Sequence, residues 1–188
     1  ARVAIMLPNV PQFAVTMAGV LRAGYTCVNV NPLYTARELE HQLKDSGATA
    51  IVVLENFAKT LEEVIERTPV KHVVIASMGD LLGFWYGRWI TFAVRHLAKM
   101  VPAYKLPLSD GRSVTPFRAA VAQGQSMSLR PAASNLDSVA FLQYTGGTTG
   151  LSKGAVLTHR NVLAAVLQAE AWFTPALKRV GDVRNVNS

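Results

Sequence analysis

The eleven residues from Tyr144 to Gly154 concentrate the chemical groups that can surround a polyphosphate. Glycines let main-chain N–H groups approach a ligand closely, and successive N–H groups in such a turn form a concave anion site. Threonine hydroxyls and the Lys153 ammonium add side-chain donors. We therefore expect a phosphate site lined by Tyr144, Thr145, Gly146, Gly147, Thr148, Thr149, Gly150, Leu151, Ser152, Lys153 and Gly154.

The spacing of this run, called the Gly/Thr loop below, differs from two other phosphate-binding patterns. In the P-loop pattern GxxxxGK[ST], glycine precedes the lysine, whereas here Ser152 precedes Lys153 and Gly154 follows it. The run does not contain the dinucleotide-binding pattern GxGxxG either. A surface turn without a ligand is the alternative interpretation, and the match over the whole run argues against it.

Apolar runs and helical periodicity alternate before and around this loop. We expect strands at Val3–Leu7, Thr26–Val30, Ala50–Leu54, His72–Ala76, Ser138–Tyr144 and Ala155–Thr158. We expect helices at Gln12–Arg22, from a capping box at Thr35 and Glu38 to Gly47, at Phe57–Arg67, from Thr115-Pro116 to Ala122, and at Arg160–Phe173. This alternation predicts an α/β fold: a mostly parallel sheet with helices on both faces.

Composition limits the class of protein. The chain has 188 residues, of which 50% are hydrophobic and 16% charged, so it fits one domain with a sizeable core and is not disordered. A net charge of +7 suits phosphate ligands, nucleic acid or an anionic membrane surface. Cys27 is the single cysteine and reads as a small buried hydrophobe. The chain shows no signal peptide and no apolar stretch of membrane-spanning length, which favours a cytoplasmic location.

A segment of different character lies at residues 84–105. Leu81–Ser109 contains no acidic residue, and at 100° per residue Arg88, Thr91, Arg95 and Lys99 share one stripe of a helix expected over Phe84–Met100. The pattern predicts a basic amphipathic insertion that lies on an anionic membrane surface with its aromatic residues at headgroup level. Packing of the apolar side on the sheet is the alternative.

Three segments together resemble the acyl-adenylate-forming, AMP-binding superfamily. The Gly/Thr loop resembles the signature YTSGTTGxPKG, with Gly146 and Ser152 in place of Ser and Pro. Leu21–Gly24 with Val28–Thr35, and Thr158–Asn161, resemble flanking motifs of the superfamily. Pro32–Leu43 and Phe141–Gly154 together, with the Gly-Gly form of the loop, resemble bacterial long-chain fatty-acid–CoA ligases. The similarity is expected over residues 1–173, as a partial AMP-binding domain, with an irregular tail at 174–188. The ends of the chain suggest an N-terminal fragment.

The resemblance implies a two-step ligase reaction. A fatty-acid carboxylate reacts with ATP to give acyl-adenylate and pyrophosphate, and coenzyme A then displaces AMP. Lys153 and Thr145 are the implied catalytic residues: Lys153 as a phosphate clamp that stays protonated among phosphate oxygens, and Thr145 also as a Mg²⁺ contact. The adenine, ribose and acyl sites of the family lie in a later part of such enzymes, so we expect the active site here to be incomplete.

Other interpretations stay open at this point. The chain is either part of an adenylating enzyme for another carboxylate, such as a medium-chain or aryl acid, or a non-catalytic membrane-surface or anion-binding module. No nucleic-acid partner is expected, because no recognition signature accompanies the basic residues. Among the histidines, His159 is expected to organise a turn and His41 to lie on a solvated helix face. Their spacing does not predict a zinc site.

Overall fold

The computed structural model describes residues 1–108, 111–129, 132–145 and 152–186, and for residues 177 and 179–186 only the backbone. One sheet contains seven strands: β1 (Arg2–Met6), β2 (Thr26–Asn29), β3 (Ala50–Leu54), β4 (His72–Ala76), β5 (Ser113–Pro116), β6 (Val139–Thr145) and β7 (Lys153–Thr158). Their order across the sheet is β5-β4-β3-β1-β2-β6-β7. Neighbouring strands run parallel, except that β7 runs antiparallel to β6.

Helices connect most of these strands. They are α1 (Pro11–Arg22), α2 (Ala36–Ser46), α3 (Ala58–Glu62), α4 (Phe84–Phe92), α5 (Phe117–Gln125) and α6 (His159–Val186). Over the described residues, none of these helices has the length and apolar character needed to cross a lipid bilayer.

Successive residues of the central strands bury their side chains on opposite faces of the sheet, as the period of two requires. Met6 of β1 lies in one apolar cluster with Leu43 of α2. The adjacent Ile5 lies in the other cluster, with Val20 of α1 and Phe117 of α5. Helices therefore cover both faces, and the predicted α/β fold with a mostly parallel sheet is confirmed.

Helix α2 is fixed at both of its ends. The Thr35 N–H donates to the Glu38 carboxylate at 2.8 Å, and the Glu38 N–H donates to the Thr35 hydroxyl at 3.4 Å, which completes the predicted capping box. Gly47 ends the helix in the left-handed conformation, with φ of 62°. Both predicted boundaries of this helix are confirmed.

Polar contacts also tie α2 to its neighbours. The Arg2 guanidinium donates to the Ser46 carbonyl at 2.5 Å, which connects the end of α2 to the start of β1. On the outer side, Glu40 pairs with Arg67 at 2.8 Å and with Lys44 at 2.6 Å. Hydrogen bonds from Arg67 and then Lys44 lower the pKa of Glu40 to about 2. The helix therefore makes polar contacts with the rest of the protein on two sides.

Two expectations for the middle of the chain were wrong. Thr115 and Pro116 do not begin a helix but end β5, and the helix starts at Phe117. Without a neighbour on its outer side, β4 would leave backbone N–H and C=O groups without hydrogen bonds. Pairing with β5 supplies those hydrogen bonds. The helix expected over Phe57–Arg67 is divided into α3 and two flanking 3₁₀ turns, Glu55–Phe57 and Ile65–Arg67.

The irregular tail expected at 174–188 was also wrong over its described part. Helix α6 continues through Pro175 to Val186. The residues after Pro175 include Ala, Leu, Lys and Arg, which are good helix formers even without an apolar stripe. Amphipathic periodicity therefore underestimated the length of this helix.

The basic segment departs from the expected uniform helix. After α4, residues Ala93–Leu97 form a π turn, whose wider winding rotates later side chains away from the 100° pattern. Arg95 of this turn turns toward the protein and pairs with the buried Glu55 at 2.5 Å. Five aromatic side chains stay 53–83% exposed and form what we call the aromatic surface: Phe84, Trp85, Tyr86, Trp89 and Phe92. Arg88, Thr91 and Arg95 line one pocket, so these members of the predicted stripe share a side of the segment. That side borders the protein, where Arg95 reaches Glu55.

Removing a core side chain of α2 tests its support role. Leu43 is fully buried against the sheet, so Leu43→Ala should lower the free energy of unfolding by about 2–5 kcal/mol, through lost apolar burial and a cavity. The matched control is Leu33→Ala, since Leu33 is 81% exposed and should change stability by less than about 0.5 kcal/mol. Urea denaturation followed by circular dichroism measures both, and equal effects would contradict the packing described.

Candidate active site

The Gly/Thr loop connects β6 to β7 at the carboxyl end of the parallel strands. Asn29, the last residue of β2, pairs in register with Gln143 of β6, so the ends of these two strands lie side by side. Ligands of open α/β sheets bind outside the carboxyl ends of the strands. The six residues Gly146, Gly147, Thr148, Thr149, Gly150 and Leu151 lie outside the described residues, and the expectation of phosphate contacts there stays a prediction.

The two residues that flank the loop face each other. Thr145 of β6 is the register partner of Lys153 of β7, and both are exposed. Side chains of directly opposed residues in an antiparallel pair lie on the same face of the sheet. A hydroxyl donor and an ammonium group are therefore presented together at the mouth of the loop. Such a pair is suited to binding phosphate oxygens.

Tyr144 anchors the first side of the loop to α2. Its hydroxyl donates a hydrogen bond of 2.5 Å to the carboxylate of Asp45. Burial, and secondly this hydrogen bond, raise the pKa of Tyr144 well above its usual range, so the hydroxyl remains a donor at physiological pH. The opposing residue is Gly154, where an added Cβ would lie 3.0 Å from the tyrosine ring. The absence of a side chain at Gly154 makes room for the ring.

His41 contacts the second side of the loop. Its Nε2 lies 3.3 Å from the carbonyl oxygen of Ser152, which is an acceptor, so the Nε2–H tautomer donates. The expectation that His41 lies on a solvated helix face was therefore wrong: the side chain is partly buried and points to the loop. His41 and Asp45 are four residues apart and share a helix face, and this spacing was the signal in the sequence.

A row of amides joins the strand ends beneath the loop. The Asn29 side chain donates to the Gln143 side chain at 2.8 Å, and the buried Gln42 of α2 donates to the Asn29 carbonyl at 2.7 Å. Two buried acceptors of this row, Asn29 Oδ1 and Gln42 Oε1, find no hydrogen-bond donor within the described part of the chain. Helix α2 thus contacts β2, β6 and the residue that precedes β7 at the carboxyl ends of the strands.

The remaining histidines do not form a second site. His159 begins α6, and its N–H donates to the Ser138 carbonyl, which fits the expected role in organising the turn. His72 lies 2.9 Å from the Ser113 hydroxyl at the opposite edge of the sheet, and His96 packs against Phe92. Within the described ranges, no three or more His, Cys, Asp and Glu side chains are grouped to hold a metal ion.

Hydroxyl groups are the oxygen ligands that the described residues flanking the loop would offer a magnesium ion. They belong to Thr145 and Ser152. Mg²⁺ prefers oxygen ligands and is commonly held by one or two protein groups together with substrate phosphates and waters. The described residues therefore fit a metal bound mainly through a nucleotide, and not one held by a protein cage.

Comparison with known sequences gives the family of the chain. The profile of a family described as "AMP-binding enzyme" matches residues 1–184, so the similarity extends past the expected end near residue 173. A long-chain-fatty-acid–CoA ligase of Salmonella typhimurium is 51% identical over 176 residues, which cover 94% of this chain and 30% of that protein. One of Haemophilus influenzae is 53% identical over 182 residues, which cover 96% and 31%. The chain spans about 30% of the length of these relatives.

Solved structures share the fold. A long-chain-fatty-acid-CoA ligase of Archaeoglobus fulgidus matches with a TM-score of 0.58 and 28% identity, over 90% of this chain and 27% of that chain. A benzoate CoA ligase of Burkholderia xenovorans matches with a TM-score of 0.57 and 18% identity, over 86% and 25%. The second likeness concerns the fold alone.

The reactivity of the Cys27 thiol tests the packing around β2. The side chain is inaccessible in the core, and burial raises its pKa to about 12. We expect no reaction with Ellman's reagent in the native chain at pH 8, because the thiol stays protonated and shielded, and one equivalent of reaction after unfolding in guanidinium. Rapid reaction of the native chain would contradict the burial of this thiol.

Proposed function

We propose, from the premise that this chain belongs to the AMP-binding enzyme family, that it supplies the phosphate-binding part of an ATP-dependent long-chain fatty-acid–CoA ligase. Relatives with that ligase name share about half of the aligned residues. One structural observation carries the proposal for the site. Thr145 and Lys153 oppose each other across the ends of the Gly/Thr loop, at the carboxyl edge of the sheet.

The chemistry of the proposed first step explains the need for such groups. A fatty-acid carboxylate attacks the α-phosphorus of ATP, the bond to the bridging oxygen breaks, and pyrophosphate leaves with the electron pair. Two anions must approach, and negative charge accumulates on the leaving group. The Lys153 ammonium and the Thr145 hydroxyl, together with main-chain N–H groups, would hold the terminal phosphates and stabilise this charge. Lys153 would act as a clamp and not as a base.

The proposed second step uses coenzyme A. Its thiolate attacks the acyl carbonyl carbon, a thioester forms, and AMP leaves with the mixed-anhydride bond electrons. Mg²⁺ would neutralise phosphate charge in the first step, with the Thr145 hydroxyl as the proposed protein contact. Both steps require adenine, ribose, acyl and CoA contacts beyond those argued for these residues. Since the relatives are about three times as long, we expect this chain alone to form no acyl-adenylate.

A different acid is the second candidate within the family. The chain shares its fold with a benzoate CoA ligase, so an aryl or medium-chain acid is compatible with the architecture. We favour a long-chain acid because the relatives that are about 50% identical bear that name. A comparison of acyl chain lengths as substrates distinguishes the two candidates.

We further propose a location at the cytoplasmic face of a membrane. The aromatic surface exposes five rings, and Arg88 beside them carries a positive charge and lies 5.6 Å from the Phe84 ring centre. No acidic residue occurs in Leu81–Ser109 to repel anionic headgroups. Amphipathic aromatic side chains favour the headgroup region. A long-chain acid partitions into membranes, so such a contact would place the enzyme near its substrate. A non-catalytic membrane or anion-binding module is the alternative that this surface supports.

Loss of the clamp tests the catalytic proposal. In the full-length ligase containing this chain, Lys153→Ala should lower kcat/KM for ATP by about 100-fold, because the charge on the departing pyrophosphate loses a fixed cation. Pyrophosphate release with ATP and a long-chain fatty acid is the measurement. Lys71→Ala, an exposed lysine at the other edge of the sheet, is the control. Unchanged turnover in the Lys153 variant would refute the proposal, as would release by the isolated chain above its own Lys153→Ala control.

Vesicle flotation tests the membrane proposal. The chain should float with vesicles of phosphatidylglycerol and phosphatidylcholine, and the double variant Trp85→Ala, Trp89→Ala should bind them about 10-fold more weakly, through lost apolar burial. Trp172→Ala is the matched control, since Trp172 is 81% exposed and lies on α6. Equal binding to neutral vesicles would contradict the contribution of positive charge, and an equal loss in the Trp172 variant would contradict the role of the aromatic surface.

A further inference from the structure

The geometry points to Asp45 and His41 of α2 as positioning residues for the Gly/Thr loop. This inference rests on the proposed function, since it assigns a part in nucleotide binding to groups that touch no nucleotide. Asp45 accepts from Tyr144 on the β6 side, and His41 donates to the Ser152 carbonyl on the β7 side. One helix face therefore holds both flanks of the predicted phosphate site.

The two contacts are held by a support that does not depend on the loop itself. The capping box and Gly47 fix the ends of α2, and Leu43 anchors the helix in the core. The Ser46 carbonyl is tied to β1 by Arg2. Because these restraints lie elsewhere on the helix, Asp45 and His41 keep their places without the loop. We therefore infer that Asp45 and His41 position Tyr144 and Ser152, and that Tyr144 and Ser152 do not position the helix.

Groups that must be ordered when a ligand binds lose entropy, and this loss opposes affinity. Restraining both flanks before the nucleotide arrives reduces that loss. The contacts with Tyr144 and Ser152 lie one residue away from Thr145 and Lys153, which face each other at the mouth. We infer that ATP affinity depends on this helix face, whereas fatty-acid affinity does not.

The specific contact is the hydrogen bond from the phenol to the carboxylate. Tyr144→Phe removes one oxygen and leaves the ring packed on Gly154, so the core packing is preserved. Asp45→Ala removes the acceptor, and Asp45→Asn keeps an amide oxygen that accepts the same bond. For the other flank, His41→Ala removes the donor, and His41→Gln restores an N–H at a similar reach.

The test measures KM for ATP and for a long-chain fatty acid separately in the full-length ligase. We expect Tyr144→Phe, Asp45→Ala and His41→Ala each to raise KM for ATP about 10-fold, as the loss of a charged or buried hydrogen bond would, with KM for fatty acid changed less than about twofold. Asp45→Asn and His41→Gln should recover most of the loss. The double variant Asp45→Ala, Tyr144→Phe should resemble the single variants, since both remove one interaction.

Two controls separate the possible outcomes. Glu40→Gln weakens the outer ion pair of α2 without touching the loop, so it reports general destabilisation of the helix and should leave KM for ATP unchanged. Lys153→Ala reports the proposed function itself. If Lys153→Ala impairs ATP use but Tyr144→Phe, Asp45→Ala and His41→Ala all keep the parental KM for ATP, the positioning inference fails. If Lys153→Ala is also without effect, the proposed function fails instead. Multiplicative effects in the Asp45, Tyr144 double variant would likewise overturn the coupling.

Discussion

The antiparallel pairing of β6 with β7 is the constraint on which the candidate site depends. Every other neighbouring pair of described strands is parallel, so this pair alone returns the chain directly at the carboxyl edge of the sheet. The register then decides the chemistry: Thr145 meets Lys153 at the mouth, and Tyr144 meets Gly154 one step further in. A shift of the register by one residue would separate the hydroxyl from the ammonium and place a side chain against the tyrosine ring.

Helix α2 contacts both sides of this hairpin and restrains them. Strand β7 lies at the edge of the sheet, so this hairpin pairs with the other strands only through β6. The contacts of α2 supply restraint from the covered face, through a buried phenol, a histidine and a row of amides. Preorganised donors stabilise charge without reorganisation at the moment of reaction, so under the proposed function this restraint beneath the loop would favour the chemistry.

The segment after β4 shows how one ion pair can decide the orientation of an amphipathic helix. Glu55 is buried at the end of β3, and a buried carboxylate is costly unless it is paired. Arg95 pairs with it, from the side of the segment on which Thr91 also lies. At the start of α4, Gly87 packs so closely against Gly79 that no side chain fits between them. With these two contacts inward, the aromatic side chains are left facing out.

Local signals in the sequence determined much of this protein. Apolar runs located β1 to β4 and β6, Thr35 with Glu38 and Gly47 bounded α2, and the Gly/Thr loop with its flanking motifs indicated the family that the whole-chain match bears out. These features depend on residues near each other in the chain, where periodicity and turn chemistry act.

The edge strand β5 and the inward turn of Arg95 were missed because each exists only through a partner on another element. The same reason applies to the support of the loop: Asp45 and Tyr144 are 99 residues apart, and His41 and Ser152 are 111 apart. Only the folded sheet brings α2 beneath the hairpin, because strand order, and not sequence order, sets which side chains meet.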